Sequence, residues 1–237
     1  FGSSSILSAS RSGAALRPNT ISLRDPAKGG MGTFIRCFAV IFLGRAALPA
    51  HADPTATVSC DTTCGPLDIE IFREWSPKGA DHFIELVQDG WYTDIAFFRA
   101  VPNFLVQFGA NPDGAMRQKW EHKTIEDDPS QNIAFEHGTL SYAGYGPNSR
   151  TTQVFFSYTK NSGLGRSPWE TPFGRVAAHS LEVLDKIYTG YGDMPPWGKG
   201  PNPSELQRQG NSYVRENFPK VDFIKSCKVN SEESHDL

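Results

Sequence analysis

Between residues 58 and 229 the apolar residues come in short runs separated by glycine, proline and asparagine, and this punctuation constrains the fold more than any other feature of the 237-residue chain. Leu67, Ile69 and Ile71 alternate with Asp68 and Glu70, the period of two that half-buries a strand, and Gly65-Pro66 marks a turn within the same hairpin, 58–72. Further strand-like runs cover 95–99, 104–109, 138–143, 154–158, 173–177 and 221–229, about eight strands in all. Two stretches have helical spacing instead. Ala80, Phe83, Ile84 and Val87 follow Ser76-Pro77 and stop at Gly90; Leu181, Leu184, Ile187 and Tyr188 lie between Ser180 and Gly190. Segments 110–133 and 189–220 read as long loops, the second with at most one short helical piece near 203–208. So many short strands expose many unpaired edges, and closing the sheet on itself removes them. The expectation is one mainly β domain, a closed antiparallel barrel with two helices.

The first part of the chain reads as an address. Met31 and Arg36 precede an apolar stretch at 37–48, and Ala50 and Ala52 form a small-x-small cleavage pattern, the layout of a secretory signal peptide. That stretch is short for a membrane span and Arg45 interrupts it, so no stable span is expected after leader cleavage. Residues 1–30 hold Ser and Arg with Asp25 as the one acid, which suits a transit segment. The organisation expected is a leader at 1–52, a domain at 53–230 and a tail at 231–237. The protein would work in the secretory pathway or outside the cell, or, through a bipartite leader, in a thylakoid-type organelle lumen.

A net charge of −3 excludes a partner held by its phosphates, because such proteins need a basic surface to release counterions. The six His show no ligand spacing, Gly198-Lys199-Gly200 lacks the rest of a phosphate loop, and Cys37, Cys60, Cys64 and Cys227 make no zinc pattern. No metal and no cofactor are expected, and a monomer is the default.

Three segments then narrow the reading. Residues 97–109 run Phe97-Phe98-Arg99-Ala100-Val101-Pro102-Asn103-Phe104-Leu105-Val106-Gln107-Phe108-Gly109. Residues 138–149 run from Gly138-Thr139-Leu140-Ser141-Tyr142-Ala143 through Gly146-Pro147-Asn148-Ser149, and Gln153-Val154-Phe155-Phe156 follows. The last is Phe173-Gly174-Arg175-Val176. In content and order they resemble the signature blocks of the cyclophilins, and the resemblance runs from about Val58 to Val229. It implies an eight-stranded antiparallel barrel capped by two helices, and cis-trans isomerisation of Xaa-Pro bonds in protein folding. Proline-containing polypeptides would be the partners.

The reaction twists an amide against a barrier of ~18–20 kcal/mol, with no covalent bond made or broken. A catalyst therefore needs an apolar seat for the proline ring, anchors for the flanking backbone, and a donor that favours the twisted state. By the resemblance, Arg99 is the catalytic donor. Phe104, Leu105 and Phe155 form the proline pocket, Gln107 and Gln153 bind the substrate backbone, and Ala143 and Gly144 line the edge that pairs with it. The loop at 160–172 departs from the family, with no His and a different length; Trp169 either walls the pocket from a shifted position or packs on the barrel. A cyclophilin-fold module that binds proline-bearing segments or aids assembly with little catalysis is the alternative. The first and last strands are neighbours in such a barrel, so one disulfide is expected, Cys60–Cys64 or a pair using Cys227.

Overall fold

The computed structural model describes residues 53–160 and 163–230; the expected leader, the expected tail and Cys37 lie outside them. Strands β1 (Ala56–Thr62) and β2 (Gly65–Ile71) form the first hairpin, with Thr63 and Cys64 at the turn and Gly65-Pro66 already in β2. Helix α1 (Pro77–Gln88) follows, then β3 (Ile95–Ala96), β4 (Arg99–Val101), β5 (Leu105–Phe108) and helix α2 (Gly114–Trp120). Strands β6 (Thr139–Tyr142), β7 (Val154–Ser157) and β8 (Gly174–Val176) precede helices α3 (Leu181–Lys186), α4 (Pro203–Gln209) and α5 (Asn211–Asn217), and β9 (Phe223–Asn230) ends the domain.

All pairings are antiparallel, in the order β3-β9-β1-β2-β8-β6-β7-β5-β4. The outermost strands, β3 and β4, are separated in the chain only by Phe97 and Phe98. The Phe97 N–H still donates to the Asp222 carbonyl at 2.9 Å, beside β9, and from Arg99 onward the chain pairs with β5. One bent strand therefore serves both edges of the sheet. Counted that way there are eight strands, and the sheet closes on itself as the edge argument requires. Its interior holds the alternate residues of each strand, such as Leu67, Ile69 and Ile71 of β2, all fully buried.

The helices differ from expectation in number. Helices α1 and α3 fall in the two periodic segments and α4 on the short helical piece expected near 203–208, whereas α2 and α5 fall where plain loop is expected. Each of α2, α4 and α5 spans 7 residues, too short for its period to emerge from polar surroundings. In α1 the buried stripe is Gly79, Ala80, His82, Phe83, Leu86 and Val87, with Ile84 at its margin. Ser76 holds the N-cap position, but its hydroxyl does not cap the helix. Asp128 does, accepting from the Lys78 and Gly79 N–H groups at 3.2 and 3.0 Å, while the Ser76 hydroxyl donates to Asp128 at 2.5 Å. The fully buried Arg150 guanidinium lies 3.1 Å from the same carboxylate, which pins the segment after α2 to the start of α1.

His82 is buried against Trp120 and Tyr142, with Nε2 2.8 Å from the Thr151 carbonyl oxygen. Burial holds its pKa below the usual histidine value, only partly opposed by that carbonyl. The unfolded chain takes up this proton near pH 6.5 and the folded chain does so lower, so stability falls as pH drops through that window. Denaturant melts from pH 7 to pH 5 should show a loss of stability, at most ~1.4 kcal/mol per pH unit, that His82→Gln lacks. Parallel profiles for the two proteins would show that His82 does not contribute it.

Candidate active site

The alternation that fills the barrel also builds its outer face. In β5, Val106 and Phe108 enter the core, so Leu105 and Gln107 face outward; in β7, Val154 and Phe156 enter it, so Phe155 faces outward. Register then aligns the outward residues. Arg99 of β4 lies opposite Gln107 of β5, Gln107 opposite Phe155 of β7, and Phe155 opposite Ser141 of β6. A cation, an amide and an aromatic ring thus stand in one row across three adjacent strands.

Leu105, Phe135 and Phe155 form a separate apolar cluster on this face, with the partly buried Phe104, Ala143 and Leu164 packed on it. Phe135 and Leu164 were not foreseen. Phe135 stacks on Phe155 at 5.8 Å between centroids, and Gly165 lies so close above it that a Cβ there would stand 2.5 Å from the ring. The one available signal for Phe135 was a lone aromatic in a polar stretch just before β6.

The polar side of the face is a chain of hydrogen bonds. Arg99 Nη1 donates to Gln107 Oε1 at 3.1 Å, and Gln107 Nε2 donates to Gln153 Oε1 at 2.9 Å. Arg99 Nε and Nη2 donate to the two carboxylate oxygens of Asp193 at 2.7 and 3.1 Å, a bidentate ion pair that sequence reasoning missed because Asp193 sits in a segment read as plain loop. Burial pushes the Asp193 carboxyl up, but the hydrogen bonds and charge of Arg99 outweigh it and hold its pKa below the usual range. These bonds engage three of the five guanidinium N–H groups and leave one on each Nη. The guanidinium carbon also lies 5.7 Å from the centroid of the Phe104 ring.

Beyond Gln153 a cavity of about 170 Å³ continues the groove. Arg117 and Glu121, on and just after α2, Gln207 of α4, and Tyr145 line it, so two short helices shape this end of the site. The Ala143 N–H donates to the Gln153 carbonyl at 3.0 Å. Gly144 lies under Trp169, whose side-chain atoms come within 2.7–3.0 Å of where a Cβ would stand. Trp169 therefore packs on the backbone at Gly144, while Leu164 of the same loop reaches the apolar cluster. Gly144→Ala should displace the indole and cost ~1–3 kcal/mol, read as a lower melting temperature with shifted tryptophan emission; an unchanged melt would show that the loop yields freely.

Of the cysteines, Cys60 and Cys227 are joined in a disulfide and Cys64 is free. Cys60 and Cys227 are direct partners in the β1–β9 register, with Cα atoms 4.1 Å apart. Burial, reinforced by Asp222, pushes the Cys64 thiol up to about 12 and keeps it protonated. No helix among the described residues is long and apolar enough to cross a membrane.

Comparison with known proteins places the chain among relatives. The sequence profile described as cyclophilin type peptidyl-prolyl cis-trans isomerase/CLD matches residues 57–202. Peptidyl-prolyl cis-trans isomerase CYP18-1 of Arabidopsis thaliana is 35% identical over 148 residues, 59% of this chain and 88% of that protein. Peptidyl-prolyl cis-trans isomerase-like 2 of Gibberella zeae is 35% identical over 142 residues, and this chain spans only 24% of its length. Among solved structures, a cyclophilin type isomerase of Cryptosporidium parvum, determined in the presence of the dipeptide Ala-Pro, superposes with a TM-score of 0.52 at 20% identity, covering 74% of this chain and 99% of that one. That likeness supports the fold.

Proposed function

The chain belongs to the cyclophilin type of peptidyl-prolyl cis-trans isomerases, and from that premise we propose that it accelerates the isomerisation of Xaa-Pro bonds in polypeptides during folding, with Arg99 as the catalytic donor. The observation that carries this reading is the row Arg99–Gln107–Phe155, a fixed cation and an apolar seat brought side by side by strand register.

The proline ring would rest on Phe104, Leu105 and Phe155, where burying apolar surface holds it without constraining the amide. Gln153 and the backbone at Ala143 would hold the flanking peptide. As the bond twists, its nitrogen loses resonance and gains a lone pair. The N–H groups left on the Arg99 Nη atoms can meet that lone pair or the carbonyl oxygen, favouring the twisted state over both planar ones. The cavity beside Gln153 would take the side chain of a residue flanking the proline.

A secretory or organelle-lumen location is part of the proposal. The Cys60–Cys227 disulfide supports it, because such bonds persist in oxidising compartments, and so does the signal-like pattern before Asp53. The test is cis-trans exchange in a short peptide with an Ala-Pro bond, followed by NMR with and without the protein. Faster exchange supports the enzyme. Unchanged exchange with a folded protein that still binds the peptide replaces it with a binding module.

A further inference from the structure

Arg99 has partners besides Asp193. Gln107 grips it from the other side, Gln153 fixes Gln107, and Phe104 lies beside the guanidinium. What Asp193 adds is charge, set bidentately against the Nε–Nη2 edge of the one cation in the row.

The carboxylate is placed there by a folded segment. Gly192, with φ at +68°, forms an antiparallel bridge to Ala100, which sets the chain next to Asp193 against β4. The chain then curls around Asp193. Its carbonyl accepts the Gly200 N–H at 2.8 Å, and a Cβ on Gly198 would stand 2.1 Å from that same oxygen, so only glycine fits the curl. The Met194 N–H donates to Asp193 Oδ1 at 2.7 Å, which orients the carboxylate from within the segment.

We propose that Asp193 is a built-in brake on Arg99. It occupies one edge of the guanidinium and offsets its charge, so the donor meets the twisted amide more weakly than an arginine held by Gln107 alone. A client segment must either work with the two remaining N–H groups or displace residues 189–200. The brake rests on the isomerase reading, and the two can fail separately.

The experiment compares the protein with Asp193→Asn and Asp193→Ala on the Ala-Pro peptide, each also in an Arg99→Ala background. Asparagine keeps an oxygen for the Met194 N–H and removes the charge, so it decides the matter if the alanine variant folds poorly. The expected result is a rise in kcat/KM of about tenfold, equivalent to ~1.4 kcal/mol, with a changed Arg99 Nε–H resonance and no effect when Arg99 is absent. Turnover seen only in the Asp193 variants would also support the brake. An active parent whose Asp193 variants match it or fall below it, with unaltered melts, overturns the brake and leaves the isomerase standing. No turnover in any of them overturns both.

Discussion

Arg99→Ala should lower kcat/KM for an Ala-Pro peptide by roughly 10²–10³, the loss that follows removal of one preorganised donor from a charge-stabilising site. The fold should survive the change. Arg99 lies on the outer face of the barrel, and the groups it leaves behind, Asp193 and Gln107, reach partners of their own in the Met194 N–H and Gln153. The free energy of unfolding should therefore fall by no more than about 1 kcal/mol, the centre of the range for point substitutions. Arg99→Lys sharpens the test. A lysine keeps the charge and loses the planar fork that meets Asp193, Gln107 and substrate at once. It should recover a minor part of the activity. A variant without Arg99 that keeps half the parental rate would remove the residue from the mechanism.

Loss of the Cys60–Cys227 disulfide should be the largest single change in stability. The bond joins residues 167 apart, and the loop-closure entropy of a span that long is about 5 kcal/mol, against the 2–5 kcal/mol usual for native bridges. The protein should melt lower by roughly 10 °C in reductant, at 2–4 °C per kcal/mol for a domain of this size. The double variant Cys60→Ala/Cys227→Ala should match the reduced protein, while Cys64→Ala should change little, since that thiol is half-buried and bonded to no other sulfur. An unshifted midpoint in reductant would deny the bridge its structural role.

The barrel was legible because its strands have period two and its turns hold glycine and proline. Leu67, Ile69 and Ile71 showed their inward face directly. The apolar and cationic groups of the site were legible through the signature at 97–109, since the residues that must align across strands are close in the chain. The groups that finish the site come from farther away. Phe135, Leu164 and Asp193 reach it from segments without periodicity, where placement depends on tertiary packing; Asp193 lies 94 residues from the arginine it pairs with. Helix α4 was glimpsed only as a short piece, and α2 and α5 were hidden for the same reason. Ser76 misled in another way, because it holds the cap position while the capping carboxylate comes from Asp128, 52 residues on. The hairpin cysteines stayed ambiguous until the β1–β9 register set Cys60 opposite Cys227.

The bent strand at 95–101 has a consequence for how the molecule comes into being. Strand β9 lies between β1 and β3, so the sheet cannot close on itself until the last strand of the domain is present. During synthesis, β1 and β2 can pair early, but β1 keeps an open flank while everything up to Asp222 is made. Pairings so distant in the chain fold slowly, because loop closure must be achieved before the contacts reward it. A chain halted short of Phe223 would offer that flank to whatever strand came near, and a polypeptide released whole would have it covered by its own C-terminal segment within a single molecule.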